Sequence, residues 1–524
     1  MVQPPVRHPF QNQVMYFVMP DRFANGDPSN DTGGIAGGRM NHGFDPTDKG
    51  FYHGGDLTGW PTSWIIWTAW ASTSIWMTPM FKNNPVREGD QASAGYHGYW
   101  ILDFTQFDPH FGSNTELEAV INGAATRGID IFFDIITNHT ADIIAYQEGQ
   151  YVYRNKTDYP YTDADGNVFD DLDYANSPDF PALDAETSFP YTPVFRNAGD
   201  ENLKVPAWLN NPIYYHNRGD SQFSGENSLY GDFYGLDDLF TAHPDVVEGM
   251  IDIYKDWISN YDIAGFRIDT MKHVNIEFWQ PFAQALLEHA AAEGKDDFFF
   301  FGEVFSGNED LLSYYMTQTD VPAVLDFKYQ EHIRAYASQQ QSAQILQNLF
   351  EDDDVFIDAD SNATLLPLFT GNHDRGRFGY FLVADSGGAM SEDEMLARST
   401  LAHAMMYFAR GVPVIYYGDE QGFTGTGGDK DARQDMFPSQ VAEYNDPAIN
   451  NMIGTDATPA DDNFDTTHPL YQAFAGCADL PGSRRPAHGC QDPPLRRRRP
   501  GHLRLQPHGP GRASRVRGGF QQRQ

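Results

Sequence analysis

The sequence predicts an α/β protein whose core is a (β/α)8 barrel with additional segments. Short apolar segments alternate with helical segments over several hundred residues, which is typical of parallel strands joined by helices. Several of these apolar segments end in polar or charged residues, as barrel strands do at the rim where active sites lie. The chain, at 524 residues, is also long enough for a barrel together with further domains.

Six apolar segments are predicted to be barrel strands, because each is short and is followed by polar residues. Apolar residues at helical spacing predict helices in NTELEAVINGAATRG and VVEGMIDIYKDWISNY. The predicted strands are SIWMTPMF (74–81), GIDIFFDIITNH (128–139), IAGFRID (263–269), FFFFGEVF (298–305), LPLFTGNHD (366–374) and GVPVIYYGDE (411–420).

One long connection interrupts the alternation of strands and helices. After NHT, about a hundred residues rich in Asp, Asn, Pro and Tyr precede the next helical segment, which starts near Pro244. Loops of this length are rarely without structure, so we expect an inserted domain after the third strand. The predicted division is therefore barrel (1–140), inserted domain (141–236), barrel (237–445) and the remnant of a C-terminal β domain (446–524).

The composition limits the possible partners. A formal net charge of −38 argues against nucleic acid or an anionic membrane as partner, and no apolar segment is long enough to span a bilayer. Only two cysteines occur, Cys477 and Cys490, so a disulfide framework is not expected. No signal peptide is visible in MVQPPVRHPF, which leaves two alternatives, a cytosolic protein or a secreted protein shown without its leader.

Two segments differ in composition from the rest of the chain. The last 44 residues, from Pro481, contain eleven arginines, no lysine and one acidic residue. They are either a basic arm that binds a polyanion or the product of a shifted reading frame. We favour the shifted frame, because codons read one base later can encode an acidic segment with strand-like alternation. We therefore expect a truncated or frame-shifted C-terminal β domain, aberrant over residues 477–524.

The second unusual segment is GWPTSWIIWTAWAS (59–72). Its codons, read two bases later, can encode LADKLDYLDGLGV, which has leucines at helical spacing and leads into the strand that starts near residue 74. We expect this segment, too, to result from a reading-frame error, and sequencing the gene would test both cases.

Six short motifs lie at or near the predicted strand ends. They are GYHGYW (95–100), DIITNH (134–139), YGLDDL (234–239), GFRIDTMKH (265–273), GEVF (302–305) and GNHD (371–374). Their residues and their order resemble the α-amylase family of glycoside hydrolases, glycoside hydrolase family 13. The resemblance covers about residues 14–440, except for the unusual segment 59–72.

Two carboxyl groups are predicted to carry the chemistry. Retaining hydrolysis of a glycosidic bond needs a pair of carboxyl groups about 5–5.5 Å apart. Asp269 is the predicted nucleophile, and Arg267, two residues earlier on the same strand face, can hold it ionised and oriented. Glu303 follows FFFF, and since an apolar environment raises a carboxyl pKa, Glu303 is the predicted general acid and base.

The resemblance implies further contacts with the sugar at the strand ends. Asp374 would be a third carboxylate, which binds ring hydroxyls and helps to distort the sugar without forming a bond to it. His139 and His373 would hydrogen-bond to hydroxyls of the same sugar. Lys272 and His273 resemble residues that contact sugars on the leaving-group side.

The motif GYHGYW supplies two more candidates. Tyr99 matches the family's aromatic residue under the sugar at the cleavage subsite, where a tyrosine ring covers the apolar face of glucose. His97 is a second candidate for substrate binding, and packing in the core is the alternative for its neighbour Trp100.

These residues together predict a retaining, endo-acting hydrolase of the α-1,4 bonds of starch or maltodextrins. A cyclodextrin-forming transglycosylase, a neopullulanase-type enzyme and a non-catalytic glucan-binding barrel are alternatives that the motifs leave open. We expect a monomer. We also expect a secreted protein, because polymeric starch usually lies outside cells.

Oxygen-bearing residues cluster in NGDPSND (25–31) and HGGDL (53–57), and six oxygens, several of them anionic, suit Ca²⁺. The pattern resembles an amino-terminal calcium site of cyclodextrin-forming and maltogenic relatives. An Asx-rich turn without an ion is the alternative. The candidate ligands are the side chains of Asn25, Asp27, Asn30, Asp31 and Asp56 and the carbonyl of Gly54.

The resemblance implies a second calcium site at Asn138, Asp238 and the carbonyl of His273. This site would join the inserted domain to the barrel, and its remaining ligand would come from the inserted domain. The segment DADGN (163–167) looks similar to a calcium-binding loop, but it lacks the later glutamate and is predicted to be a turn.

Overall fold

The computed structural model describes residues 8–62, 64–68, 72–89 and 92–479. Within these residues, seven parallel strands form the central sheet, and their order across the sheet is β5-β4-β3-β2-β1-β7-β6. In chain order they are β1 (Met15–Val18), β2 (Ser74–Met77), β3 (Asp130–Ile135), β4 (Gly265–Ile268), β5 (Phe299–Gly302), β6 (Pro367–Leu368) and β7 (Val412–Tyr416).

A short extended segment, residues 323–326, takes the place of an eighth strand between β5 and β6. The backbone of Gly302 exchanges two hydrogen bonds of 2.9 Å with Ala323 and Leu325, and a third bond of 2.9 Å joins the segment to β6. Because these bonds connect the two edges of the sheet, the sheet closes into a barrel, and the predicted (β/α)8 fold is confirmed.

The barrel strands are buried on both faces, which explains why their sequences read as continuous apolar runs. Two charged residues are exceptions. Arg267 on β4 and Asp134 on β3 are both buried and lie opposite each other in the register of the sheet. These two buried charged residues therefore face each other near the carboxyl ends of their strands.

α-Helices follow most of the barrel strands. Ser113, for example, begins the helix after β2 with a capping box, in which its backbone N–H donates to Glu116 Oε2 (2.7 Å). The α-helices are Pro20–Phe23, Arg39–His42, Trp64–Thr68, Asn114–Ala125, Asn227–Tyr230, Pro244–Asn260, Ile276–Ala292, Glu309–Gln318, Phe327–Ile333, Gln344–Glu351, Phe378–Asp385, Glu392–Phe408 and Pro469–Asp479, and a π-helix spans Arg334–Ser338. None of the described helices combines the length and the apolar character needed to cross a membrane.

All six predicted strands and both predicted helices are confirmed. Two parts of the barrel were not predicted from the sequence, namely β1 and the extended segment that replaces an eighth strand. The segment 59–72 contains a single turn of 3-10 helix and a five-residue α-helix, with Trp60 and Trp67 buried against Phe23. Its reading frame stays a prediction, since the structure does not test it.

The connection after β3 is built from short antiparallel strands and 3-10 helices. Its two ends pair with each other, because His139–Thr140 lies antiparallel to Asp237–Asp238. The segment DADGN is a turn, as predicted, in which Asp163 Oδ1 accepts the backbone N–H of Asn167 (2.8 Å). The strands outside the barrel sheet are Phe81–Asn83, Val86–Arg87, Ser93–Ala94, Ile101–Phe107, His139–Thr140, Ile144–Tyr146, Tyr161–Thr162, Val168–Phe169, Pro193–Phe195 and Asp237–Asp238.

Residues 446–479 contain turns and the helix Pro469–Asp479, which packs against Glu392–Phe408. No strand occurs in these 34 described residues. Most of the segment predicted to be aberrant, with Cys490, lies outside the described residues. The predicted domain boundaries and the β-domain remnant therefore stay predictions.

Candidate active site and cation-binding residues

Arg267 is the centre of the candidate active site, because its side chain contacts carboxylates from three adjacent strands. Its Nη1 donates to Asp134 Oδ1 (2.8 Å) and to Asp269 Oδ1 (2.8 Å), and its Nη2 lies 2.9 Å from Glu303 Oε1. Asp269 and Glu303 follow β4 and β5 and are each 6% exposed. The structure thus brings the two predicted catalytic carboxyl groups together. It adds Asp134, which opens the motif DIITNH but was not predicted to be a site residue.

The pKa shifts at this centre have burial as their largest cause. Burial raises the pKa of Glu303, and the nearby Arg267 guanidinium opposes this rise. Burial also raises the pKa of Asp269 well above its usual value, and there too Arg267 acts in the opposite direction. The pKa of Asp134 is raised to about 7 for the same reason. Such a cluster can keep a proton on one carboxyl group while Arg267 stabilises the anion on another, as acid catalysis beside a nucleophile requires.

Asp374 follows β6 and completes the predicted set of three acidic residues. Its Oδ1 lies 3.1 Å from Nη2 of Arg433, and its Oδ2 lies 3.2 Å from Nε2 of His373. The side chain is 36% exposed, so it can be reached from solvent. The charge of Asp374 contributes to the raised pKa of both Asp269 and Glu303, after burial as the main cause. The three residues therefore belong to one electrostatic cluster.

Tyr99 links Asp134 to the residues beside Asp374. Its hydroxyl donates to Asp134 Oδ2 (3.2 Å) and lies 2.9 Å from His373 Nε2. The Tyr99 and His373 rings are nearly parallel, with centroids 5.6 Å apart. The Nδ1 of His97 accepts the backbone N–H of Tyr99 (3.1 Å) and so helps to hold Tyr99 in place. Burial lowers the pKa of both histidines well below the usual value, so both rings are neutral.

The rings of His139 and His273 both lie against the ring of Phe233. The His139 ring stacks on Phe233 with centroids 5.3 Å apart, and the His273 ring lies 5.1 Å from Phe233. Burial lowers the pKa of His139 to about 3 and that of His273 to about 4. The Nδ1 of His139 lies 3.2 Å from Asn138 Nδ2, and the His139 ring also interacts with the backbone of Tyr99. His273 Nδ1 lies 2.8 Å from the carbonyl of Ser228.

Lys272 lies near enough to Glu303 for the two charges to interact. Its Nζ donates to the carbonyl of Phe305 (2.8 Å), and its charge lowers the pKa of Glu303, although burial outweighs this effect. Exposed aromatic side chains that were not predicted from the sequence lie near Lys272. Phe305 is exposed, and so are Phe223 and Tyr234, whose rings lie 4.6 Å apart.

The backbone holds Phe223 and Tyr234 in an unusual conformation. Their φ angles are 58° and 52°, in the left-handed region that is unfavourable for bulky side chains. The Phe223 ring lies 5.9 Å from the ring of His273, one of the predicted substrate contacts. Through this contact, Phe223 and its neighbour Tyr234 lie beside the candidate site.

Arg433 was not predicted from the sequence, because it lies in an irregular loop after β7 that carries no quoted motif. Besides Asp374, it contacts Asp429 Oδ1 (2.8 Å) through Nη2 and the His373 carbonyl (3.2 Å) through Nε. Its Nη1 donates to the hydroxyl of Tyr96 (3.1 Å). Arg433 is buried and touches the site from the loop after β7, a position that is visible only in three dimensions.

The predicted amino-terminal calcium ligands meet in one place. Asn25 Nδ2 donates to Asp31 Oδ1 (2.9 Å), and the Oδ1 atoms of Asn25 and Asn30 are buried with no hydrogen-bond partner among the described residues. A Cβ on Gly54 (φ 93°) would lie 2.5 Å from Asp31 Oδ1, so only glycine fits beside these groups. Burial, with neighbouring carboxylates, raises the pKa of Asp31 to about 6. Unpartnered oxygens beside a raised carboxyl pKa fit a bound cation.

The other two predicted ligands of this site also shape the loop. Asp56 accepts the backbone N–H groups of Gly26 (3.0 Å), Asp27 (2.8 Å) and Gly59 (2.9 Å). Asp27 Oδ1 accepts the backbone N–H of Ser29 (3.0 Å). Each carboxylate keeps further lone pairs that a cation could use.

The second predicted calcium site lies where the two ends of the inserted segment pair. The backbone carbonyl of Asn138 accepts the N–H of Leu239 (2.8 Å), which holds Asn138 beside Asp238. Asp238 Oδ2 is buried without a hydrogen-bond partner among the described residues, and His216 Nε2 is 3.9 Å away. Burial raises the pKa of Asp238 well above its usual value. The donor set therefore fits a cation.

Both candidate sites depend on amide and backbone oxygens. Among the described residues, no three His, Cys, Asp or Glu side chains are close enough to hold a metal ion on their own.

One protein-family model and several known proteins match most of this chain. The family model for the alpha amylase catalytic domain matches residues 17–460. An alpha-amylase from Streptomyces lividans is 51% identical over 448 residues, which are 85% of this chain and 48% of that protein. A cyclomaltodextrin glucanotransferase from Klebsiella oxytoca is 28% identical over 441 residues, covering 78% of this chain and 58% of that protein. The chain thus spans about half the length of these relatives.

Two solved structures are similar over most of the chain. An Anoxybacillus alpha-amylase is 25% identical, with a TM-score of 0.63, and the match covers 91% of this chain and 81% of that one. The alpha-amylase of Geobacillus thermoleovorans, solved in complex with acarbose, is 26% identical with a TM-score of 0.62, and covers 92% and 81%.

Fold and site together define a (β/α)8-barrel protein with a carboxylate cluster at the carboxyl ends of its strands. The extent of the family-model match then identifies the family. The chain belongs to the α-amylase family, as the six motifs predicted.

Proposed function

We propose that the protein is a retaining, endo-acting hydrolase of α-1,4-glucans such as starch and maltodextrins. The observation that carries this proposal is the contact of one buried guanidinium, that of Arg267, with both Asp269 (2.8 Å) and Glu303 (2.9 Å). Because both carboxyl groups touch the same guanidinium, they lie close together, and retaining enzymes need a separation of about 5–5.5 Å. The 51% identity to a protein named alpha-amylase supports the proposed substrate class.

In the first step, Asp269 attacks the anomeric carbon of the bound sugar and forms a covalent bond to it. Glu303 gives its proton to the glycosidic oxygen, the bond between that oxygen and the anomeric carbon breaks, and the leaving sugar departs with the proton. Arg267 orients the attacking carboxylate and favours its ionised form, against the larger effect of burial. The raised pKa of Glu303 favours the protonated form that this step needs.

In the second step, the ionised Glu303 removes a proton from water, and the water oxygen attacks the anomeric carbon. The bond to Asp269 breaks, so the product keeps the original anomeric configuration and both carboxyl groups return to their starting states. Tyr99 would cover the apolar face of the same sugar, while Asp374 and His373 would bind its hydroxyls.

Replacing Glu303 by glutamine tests this mechanism on a maltooligosaccharide. The amide has nearly the same shape but no transferable proton, so kcat should fall by about 10²–10⁴-fold. Glu288→Gln, the same change on the exposed face of helix Ile276–Ala292, is the control and should keep wild-type activity. Wild-type activity in Glu303→Gln, or a product with inverted configuration by NMR, would reject the mechanism.

Transfer of the glycosyl group to a second sugar is another candidate function. The exposed aromatic residues Phe223, Tyr234 and Phe305 near Lys272 favour it, because a sugar ring can stack on such a surface and compete with water for the intermediate. Product analysis on starch, pullulan and cyclodextrin distinguishes the possibilities. Cyclic or lengthened products would indicate transfer, and preferential cleavage of pullulan would indicate a neopullulanase-type enzyme.

We also propose that Ca²⁺ binds at both candidate cation sites. The unpartnered oxygens of Asn25 and Asn30 support the amino-terminal site, and the buried Oδ2 of Asp238, which has no hydrogen-bond partner among the described residues, supports the second. A bound Ca²⁺ would supply positive charge to these groups. Asn138, Asp238 and the His273 carbonyl would hold the second ion, and Ser228 in the helix Asn227–Tyr230 of the inserted segment contacts the ring of His273.

Secretion and a monomeric state complete the proposal. A polymeric glucan is found mainly outside cells, and a high net negative charge of −38 keeps molecules apart through mutual repulsion.

A further inference from the structure

Each nitrogen of the Arg433 guanidinium contacts at least one oxygen atom of a neighbouring residue. Nε donates to the His373 carbonyl (3.2 Å), Nη2 contacts Asp374 (3.1 Å) and Asp429 (2.8 Å), and Nη1 donates to the Tyr96 hydroxyl (3.1 Å). His373 and Asp374 belong to the candidate site, and Asp429 lies four residues before Arg433 in the chain. The fourth partner, Tyr96, lies in the segment before Tyr99, and none of its described contacts is with the carboxylate cluster around Arg267.

Tyr96 is itself held in place. Its side chain is fully buried, and the guanidinium of Arg22 lies 4.0 Å above the centre of its ring. Arg22 is anchored in turn, because its Nη2 donates to the carbonyls of Lys49 (3.1 Å) and Phe51 (3.0 Å). The hydroxyl of Tyr96 is therefore a fixed acceptor for Arg433 rather than a mobile one.

We infer that Tyr96 is a positioning residue for Asp374, and that it acts through Arg433. The inference rests on the proposed function, in which Asp374 binds the sugar at the cleavage subsite. Only Arg433 contacts Asp374 Oδ1 among the described side chains, while His373 contacts Oδ2. The orientation of the Arg433 guanidinium therefore determines that of the Asp374 carboxylate. The buried hydroxyl of Tyr96 in turn holds the guanidinium in its orientation.

Loss of the hydroxyl has a definite physical consequence. A buried guanidinium N–H without an acceptor is unfavourable, so Arg433 would turn to find another partner. Turning weakens its bond to Asp374, which then binds the distorted sugar less well. The loss should appear in kcat more than in KM, because distortion belongs to the transition state.

Tyr96→Phe tests the inference, because it removes the hydroxyl but keeps the ring on which Arg22 stacks. We expect kcat on a maltooligosaccharide to fall by about 10–100-fold, the range for a hydrogen bond to a charged group, with KM changed by less than about threefold. The matched control is Tyr407→Phe on helix Glu392–Phe408, where the buried hydroxyl has no hydrogen-bond partner among the described residues. It should keep wild-type kcat.

A double-mutant cycle with Arg433→Lys separates positioning from a merely structural role. Lysine keeps the positive charge but cannot bridge the tyrosine and the carboxylate in the same way. If Tyr96 acts through Arg433, adding Tyr96→Phe to Arg433→Lys should lower kcat by less than about twofold further. Equal losses in both backgrounds would overturn the inference. The Arg433→Lys variant alone probes the same link should Tyr96→Phe not fold, and wild-type kcat in it would also overturn the inference.

The outcome for Glu303→Gln distinguishes this inference from the proposed function. An active Glu303→Gln variant would reject the function itself. An inactive Glu303→Gln variant together with a fully active Tyr96→Phe variant would reject only the role of Tyr96.

Discussion

Two groups of buried carboxylates in this molecule differ in what neutralises them. At the barrel centre, Asp134, Asp269 and Glu303 all lie within 2.9 Å of one guanidinium, that of Arg267. Where the inserted segment begins and ends, Asp238 is also buried, but His216, at 3.9 Å, is the nearest cationic candidate, and burial lowers the pKa of that histidine well below its usual value. His216 is therefore neutral and does not compensate the charge.

The difference indicates what each place lacks. The centre at Arg267 carries one positive charge that three carboxylates share. The site at Asp238 has a carboxylate that must either take up a proton or find a cation from solution, since an isolated charge is unfavourable in a protein interior. The first group is thus suited to chemistry and the second to a structural ion, and four experiments test this difference.

The largest effect is expected for Arg267→Gln, which leaves three buried carboxylates without their cation. Removing one partner from a buried ion pair costs about 3–5 kcal/mol of folding free energy, and the orientation of Asp269 would be lost at the same time. Denaturant unfolding should show the loss of stability, and kcat should fall below detection.

Arg334→Gln is the control, because Arg334 pairs with Asp385 at 2.7 Å but is 28% exposed. A partly exposed pair contributes about 0–1 kcal/mol, so this variant should unfold close to wild type. Equal stability losses in the two variants would contradict the special role of the barrel centre.

Calcium removal is expected to have the next largest effect. Chelation would leave Asp238 and the amino-terminal oxygens without their cation, so the melting temperature should drop by several degrees and recover on adding Ca²⁺. Differential scanning calorimetry with EDTA, and then with excess Ca²⁺ or Mg²⁺, measures this. Identical melting curves in all three conditions would count against both calcium sites.

Asp269 and Glu303 at the barrel centre were predictable from the sequence, whereas Asp134, Arg433 and Tyr96, which contact the site residues, were not. Asp269 and Glu303 each follow an apolar strand directly, and in a parallel barrel all such positions meet at one rim, so the pair could be inferred from local patterns. Arg433 and Tyr96 lie in irregular loops, where no periodicity relates a residue to its neighbours in space. Asp134 lies inside a predicted strand, but the register that places it opposite Arg267 is a property of the sheet.

The same distinction applies to the cation sites. The amino-terminal ligands come from two short stretches of sequence and were found by counting oxygens. For the second site, the pairing of His139–Thr140 with Asp237–Asp238 spans about a hundred residues, and only the resemblance suggested it. Neither β1 nor residues 323–326 were predicted. Residues 323–326 belong to the barrel through three backbone hydrogen bonds, which the sequence does not reveal.

Asp238→Asn should reduce the response to calcium without lowering the stability of the calcium-free protein. The amide has no charge that needs a cation, so the calcium-free variant should melt at or above the temperature of the calcium-free wild type, while the gain on adding Ca²⁺ should shrink. Asp237→Asn is the control, since Asp237 pairs with Lys204 (2.5 Å) and should keep the response to Ca²⁺ while losing stability. A full calcium response in Asp238→Asn would remove this residue from the proposed ligands.

The smallest effect concerns the pH dependence at the barrel centre. The positive charge of Lys272 favours the ionised form of Glu303 and so lowers its pKa, against the larger effect of burial. In Lys272→Gln this contribution is lost and the pKa of Glu303 should rise further. Since Glu303 must be protonated to donate to the leaving sugar, the basic limb of the kcat/KM profile should move to higher pH by a few tenths of a unit.

Lys255→Gln, on the outer helix Pro244–Asn260, is the control and should leave the basic limb where it is in the wild type. The sign of the shift is the informative part, because a change in substrate binding at Lys272 would alter KM without moving the limb. A shift to lower pH in Lys272→Gln would mean that the group titrating on the basic limb is not stabilised as an anion by Lys272. Glu303 would then not be the proton donor, and the proposed catalytic role of the carboxylates around Arg267 would be wrong.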